Sequence, residues 1–430
     1  MALTGRAALL ALLTAPVLAV APGWPMLLGG LGVLLALVAV DYALAGDVAR
    51  LGFVRDGDDR VRLGEPATVT VLVDNPGRRR VRGVLRDAWP PSAGIAEARH
   101  RIDVPAGERR RLSTHLLPTR RGDRFAYRVT VRALGPMGLA GRQRSHDVPW
   151  RVRVLPPFGS RKHLPSRLAR LRELDGRTAV LVRGQGTEFD SLREYVVGDD
   201  VRSIDWRGTA RRSEVVVRTW RPERDRHVLI VLDTSRSSAG RVGDAPRLDA
   251  ALDAALLLGA LASRAGDRVD LLAYDRVVRA RVQGVAAADV LPALVTAMAP
   301  LESSLVEVDA AGLVAAVLAW APRRSLVVLL TGLDAAGIEE GLLPVLPALV
   351  KRHTVVLAAV ADPRVAELAG GRGEPGLVYG AAAAERARLE RRRSTEALRR
   401  RGVEVVDAPP GQLPPALADA YLALKAAGHL

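Results

Sequence analysis

Asp233, Ser235 and Ser237 follow an apolar run, residues 228–232, in the alternation D-x-S-x-S. Alternate residues of an extended loop point the same way, so one carboxylate and two hydroxyls converge on one point. Magnesium favours about six oxygens in near-octahedral geometry and keeps several waters. This donor set therefore suits a magnesium or another divalent ion that retains an open position for a partner's carboxylate. That is recognition chemistry as much as catalysis. A loop of helix-capping Ser and Asp residues accounts for the same string. Its place favours a site, because the string closes the first buried strand of an α/β segment, where open sheets bind their ligands.

A second concentration of reactive side chains is the stretch GTEFDSLREYVVGDDVRSIDWRGTARR, residues 186–212. Asp199, Asp200 and Asp205 offer carboxylates for metal-assisted hydrolysis. Alternatively, Arg193 and Arg202 pair with these acids while Tyr195 and Trp206 pack the segment onto the domain that follows. We take the stretch as structural or partner-docking, with a metal-dependent hydrolase as the alternative. Other enzyme signatures are missing from the sequence. No G-x-x-x-x-G-K-[ST] loop occurs, the seven His residues form no H-E-x-x-H, and no G-x-S-x-G elbow is present. The chain has no Cys, which excludes disulfides and thiolate metal sites. No enzymatic activity is expected.

The elements that must position these residues read in three blocks. Uncharged runs at 7–21 and 24–40, joined by Pro22 and Gly23, predict a transmembrane hairpin over residues 1–50. A cleaved leader ending at Ala21 competes for the first run. Arg50, Arg55, Arg60 and Arg62 follow the second run, which places the rest of the chain on the cytoplasmic side of a plasma membrane. Residues 51–156 alternate with period two. Val69, Val71 and Val73 give way to an Asn75-Pro76-Gly77 turn, and runs at 81–86, 111–117, 125–134 and 150–155 continue the pattern. Gly135-Pro136-Met137-Gly138 marks another turn. This block predicts a small antiparallel, immunoglobulin-like β-sandwich. Residues 157–226 form a linker with a short helix at 167–174 and the stretch above. From 227 to 430, apolar strands at 228–232, 269–274, 326–330, 355–360 and 403–406 alternate with helices, with an antiparallel edge at 277–282. The block predicts an open, mainly parallel, Rossmann-type sheet with helices on both faces.

A net charge of +16 raises nucleic-acid binding as a further alternative. Arg supplies nearly all of it, Lys occurring only at 162, 351 and 425, and no aromatic residues interleave the triplets at 78–80, 109–111, 391–393 and 399–401. Solvated surface, or attraction to anionic headgroups near a membrane, explains the charge more economically.

Phe189, Asp190, Leu192, Arg193 and Tyr195, then Gly198, Asp199, Asp200, Arg202, Ile204, Asp205 and Trp206, follow the pattern Phe-Asp-x-Leu-Arg-x-Tyr with Gly-Asp-Asp-x-Arg-x-Ile-Asp-Trp. This resembles the bacterial domain-of-unknown-function family 58. The order of membrane segments, β-rich block, signature and α/β block matches it over most of the chain. The resemblance implies that residues 227–430 are a von Willebrand factor A-like domain with a metal-ion-dependent adhesion site. It also implies a membrane-anchored partner of a MoxR-type AAA+ ATPase and of membrane-associated clients. Asp233, Ser235 and Ser237 match the first element of such a metal site. The second, a Thr in a later loop, has no clear equivalent among Ser303, Ser304 and Asp309. The third, a Thr-Asp pair, here reads Thr331-Gly332-Leu333-Asp334, so the carboxylate is lost or displaced by two positions.

Overall fold

The computed structural model describes residues 2–20, 23–181, 188–197, 199–212, 214–221 and 226–429. They form two compact units, Met1–Pro157 and Phe158–Leu430.

The first unit begins with helices Gly5–Val20 and Trp24–Leu44. At 1.5 Å per residue, the 21 residues of the second reach ~31 Å, which matches roughly 30 Å of hydrocarbon. Its apolar window has a mean hydropathy of 2.1 and is only 11% buried, unlike a core helix. The first helix has 16 residues, reaches ~24 Å, and falls short. Of the two expected spanning helices, one among the described residues is therefore long and apolar enough.

Two sheets follow. Gly52–Gly57, Ala67–Asp74 and Arg109–Leu116 make an antiparallel sheet with Ala67–Asp74 in the centre. The other runs Ala2–Leu3, Ala140–Leu155, Gly122–Leu134, Val81–Asp87, Arg99–Val104. Period-two patterning turns Val71 and Val73 inward against Val81, Leu85, Val104, Val129 and Val131, so the sheets share one core. The pairing is antiparallel except for Arg60–Arg62, which lies parallel to residues 153–155. The long strands Gly122–Leu134 and Ala140–Leu155 exceed the expected runs because their outward residues are Arg, Gln, Ser and Asp, which hide the alternation.

In the second unit the main sheet contains β1 (His227–Asp233), β2 (Arg268–Tyr274), β3 (Val278–Val282), β4 (Leu326–Leu330), β5 (Thr354–Val360) and β6 (Glu404–Ala408). The order is β3-β2-β1-β4-β5-β6, parallel throughout except at the β3 edge. Strands β1, β2, β4 and β5 are almost wholly buried, as their continuous apolar runs require. Helix α1 (Arg247–Arg264) covers one face. Its Gly259 makes room for the neighbouring helix Val290–Met298, since a Cβ there would stand 2.5 Å from Leu294 Cδ1. Helices α2 (Ala310–Trp320) and α3 (Leu343–Val350) cover the other, packing Leu313, Val317, Leu346 and Leu349 onto Leu229, Val231, Val327 and Leu329. The strand order reverses between β1 and β4, which leaves a crevice at their carboxyl ends.

Candidate functional site

Asp233 ends β1, flanked by β2 and β4, and is 3% exposed. A carboxylate so placed must be hydrogen-bonded or paired. Its Oδ1 accepts the N–H of Ser235 at 2.7 Å. Its Oδ2 accepts the hydroxyls of Ser237 at 2.5 Å and Thr331 at 2.6 Å. Ser235 Oγ lies 3.4 Å from Ser237 Oγ. Ser235 is the N-cap of a four-residue helical turn, Arg236–Ala239, yet its side chain makes no capping hydrogen bond. The hydroxyls of Ser237 and Thr331 gather round Asp233, and that of Ser235 faces Ser237 instead of capping the turn.

Thr331 is the first residue past β4, on the opposite side of the crevice. Asp334, two positions later than the expected carboxylate, comes back to the same place. Leu333 is 3% exposed and pins the turn to the core, while Gly332 gives the side chains room. A Cβ on Gly332 would stand 2.8 Å from Asp334 Oδ2 and 3.0 Å from Ser237 Cβ. Asp334 also pairs with Arg247 of α1 at 3.8 Å. Asp233, Ser237, Thr331 and Asp334 thus rim a cleft whose floor is Val231, Leu313, Leu329, Ile338 and Leu342. One wall is a π-helical turn, Gly337–Leu342, of a kind that recurs at functional sites.

The donors are all oxygen, which suits a hard divalent cation. Adjacent ligands of magnesium stand about 2.9 Å apart, so the 2.5 and 2.6 Å contacts to Oδ2 would need to open by roughly 0.3–0.4 Å. No cluster of three or more His, Cys, Asp or Glu occurs among the described residues, so such an ion would be held with little charge to quench it.

The other sequence candidates are engaged differently. The Ser304 hydroxyl donates to Asp275 Oδ2 at 2.8 Å, with the Thr234 carbonyl also within reach at 3.1 Å. Asp309 caps α2 through the N–H of Gly312 at 2.9 Å. Neither they nor Ser303 line the cleft. Sequence reasoning missed Asp275, which follows β2 as Asp233 ends β1. It is 1% exposed and ties the β2–β3 turn to the 301–309 loop beside the site. Burial raises its carboxyl, but hydrogen bonds from Arg279, Arg276 N–H, Ser304 and Val277 N–H outweigh this and lower its pKa to about 2.

The signature stretch is a hairpin. Glu188–Glu194 pairs with Val216–Arg221, with Phe189 opposite Trp220 and an irregularity before Ser191. Tyr195 N–H donates to the Val215 carbonyl at 2.8 Å. Arg193 grips both oxygens of Asp199 at 2.7 and 2.5 Å, and holds that carboxyl below its usual range. Asp205 accepts the N–H of Gly208 and the guanidinium of Arg218, which likewise lower its pKa. Asp200 caps the turn Val201–Ser203 through the N–H of Arg202. Two expectations change here. Arg218 takes the ion pair expected of Arg202, whose contribution is its main chain. Trp206 is 69% exposed and does not pack the hairpin down. The three aspartates each serve a separate partner and do not converge. Gly198 lies outside the described residues.

Among solved structures, the chain is similar to the CARDB domain of the PF1109 protein from Pyrococcus furiosus in complex with di-metal ions. That match has 19% identity over 26% of this chain and 91% of the other, with a TM-score of 0.19. It is also similar to a β-glucosidase from Listeria innocua, at 16% identity over 23% and 16% of the two chains and a TM-score of 0.16. At those scores neither likeness bears on fold or function. Among curated sequences, it is 30% identical over 190 residues to uncharacterized protein Rv1480 of Mycobacterium tuberculosis and to uncharacterized protein Mb1516 of Mycobacterium bovis. The match covers 44% of this chain and 59% of the length of those relatives. The family model described as protein of unknown function DUF58 matches residues 191–405, half of the chain, and the chain belongs to that family.

Proposed function

We propose that this chain is a membrane-anchored interaction protein whose second unit is von Willebrand factor A-like. In this reading, the unit presents the cleft rimmed by Asp233 to a MoxR-type AAA+ ATPase and to clients assembled at the membrane. The observation that carries the reading is the convergence of Asp233, Ser235, Ser237, Thr331 and Asp334 from two loops at the point where the strand order reverses. Parallel pairing with a single antiparallel edge strand supports the same assignment. Those five residues would hold a magnesium or other divalent ion, which when bound supplies an open coordination position for a partner's carboxylate. The protein's own part is to fix the donors. Asp233 cannot turn away, because β1 is buried and Ser235 N–H holds its Oδ1. The helix Trp24–Leu44 supports an anchor by length, and the arginines after it support a cytoplasmic position for the residues that follow.

Calorimetric titration of magnesium into the full chain tests the ion-holding step. The wild type should bind, and Asp233→Ala should not. Heat of binding that is unchanged in Asp233→Ala would assign the ion to another place and remove the cleft from the account.

A further inference from the structure

Asp41 lies in the last turn of helix Trp24–Leu44, yet its side chain is wholly buried. Its carboxylate accepts the N–H groups of Met137 at 2.7 Å, Leu139 at 2.7 Å and Ala140 at 2.8 Å. Met137 lies in the Gly135-Pro136-Met137-Gly138 turn, and Leu139 and Ala140 follow it directly. Gly135 has to be glycine, because a Cβ there would stand 2.2 Å from both the main-chain and a side-chain oxygen of Asp41. Thr4 closes the turn from its other side, donating to the Gly138 carbonyl at 2.6 Å, and Ala2–Leu3 pair with Ala140 and Gly141 as an edge strand. The apolar helix and the sandwich are therefore one folded body. The end of the sandwich sits where the hydrocarbon-length segment stops.

Arginines collect at that end. Arg142 donates to the Tyr42 carbonyl at 3.3 Å, with its guanidinium 5.0 Å from the Tyr42 ring centre. Arg79 donates to the Ala43 carbonyl. A guanidinium carries five N–H donors, so each keeps most of them for another acceptor. Arg6, beside Gly138, and Arg78 are exposed, with no hydrogen-bond or ion-pair partner among the described residues. Neighbouring acids are already taken, Asp47 by Arg50, Asp103 by Arg80, and Asp41 by the three amides. Tyr42 stands at the same level, as aromatic residues do where a helix leaves a bilayer.

We propose that this end of the sandwich is a contact surface for acidic phospholipids. Arg6, Arg78, Arg79 and Arg142 engage headgroup phosphates, and Asp41 holds them at headgroup depth. The surface rests on the reading that Trp24–Leu44 spans the bilayer. One arginine near an anionic membrane surface favours binding by about fivefold, so Arg6 and Arg78 together should contribute about 25-fold.

The full chain is reconstituted in vesicles of equal phosphatidylglycerol and phosphatidylcholine, washed with alkaline carbonate, and released for native mass spectrometry of the lipid it retains. The account expects a chain that survives the wash and retains phosphatidylglycerol over phosphatidylcholine. That preference should fall about 25-fold in R6Q/R78Q, which breaks no hydrogen bond among the described residues. A chain stripped off by the wash contradicts the spanning helix, and the lipid surface with it. A chain that stays but retains both lipids equally, or whose preference survives both R6Q/R78Q and R79Q/R142Q, overturns the lipid surface while leaving the anchor in place.

Discussion

Replacing Asp275 with Asn should loosen the loop that flanks the cleft, and the effect should disappear in acid. Asp275 accepts Arg279 Nε at 2.7 Å, the Ser304 hydroxyl at 2.8 Å, and the N–H groups of Arg276 at 2.5 Å and Val277 at 3.2 Å. Its main-chain carbonyl accepts Asp309 N–H at 2.8 Å, and Ser304 N–H reaches the Thr234 carbonyl at 2.7 Å. Thr234 stands between Asp233 and Ser235, so this loop buttresses the site directly. An ordinary aspartate titrates near 3.8, whereas this one is held at about 2 in the folded chain. The stabilisation is thus present in full above about pH 4 and is lost as pH falls through about 2. At 1.36 kcal/mol per tenfold the difference is worth ~2.5 kcal/mol, or about 60-fold in the opening of the loop. Asparagine keeps the shape but loses the charge and one acceptor. Hydrogen exchange of the Ser304 and Asp309 amides in the full chain should be about 60-fold less protected in Asp275→Asn at pH 7. The difference should narrow between about pH 4 and pH 2. Equal protection at pH 7, or a gap that does not narrow in acid, would show that Asp275 does not hold the loop.

Thr331→Val is nearly isosteric and removes one hydroxyl from Asp233 Oδ2, so magnesium affinity by calorimetry should drop tenfold or more while stability changes by ~1 kcal/mol. Gly135→Ala drives a methyl into Asp41 and should lower stability by about 1–3 kcal/mol in thermal unfolding. Gly29→Ala, with nothing within 4 Å of the new Cβ, should not lower the same melt. Arg218→Ala removes one of the groups holding Asp205 and should speed proteolytic cutting within the signature hairpin, leaving magnesium binding as it was.

Much of the α/β unit was legible because a buried parallel strand must be apolar throughout, and 228–232, 326–330 and 355–360 have no other use for such runs. The antiparallel edge was legible too, as Val278–Val282 alternates apolar residues with arginines. Helix ends were less so. Pro375–Arg400 begins before the Ala-rich segment that signals it, since Pro at the first position is easily read as a break. The signature hairpin was missed because its strands carry charges that pair locally, Arg193 with Asp199 and Arg218 with Asp205, which masks any alternation. In the site, Asp233, Ser235 and Ser237 were visible as a string. Asp334 looked displaced by two positions, since spacing along a chain does not show how Gly332 and Leu333 fold it back. Asp41 did leave a sign, being the one carboxylate in an otherwise apolar helix, a position that ordinarily has a partner. Which amides it meets, a hundred residues away, only the fold reveals.

The cleft at Asp233 is proposed to receive an AAA+ partner through a bound divalent ion. The most direct measurement is a pull-down from a lysate of the source organism, with the detergent-solubilised full chain and its Asp233→Ala variant as bait, each with magnesium and with chelator. Captured proteins are identified by mass spectrometry. A MoxR-type ATPase is expected with the wild type in magnesium, absent with chelator and absent with Asp233→Ala. Capture of that ATPase by wild type and variant alike, or its absence from every arm, would contradict the claim.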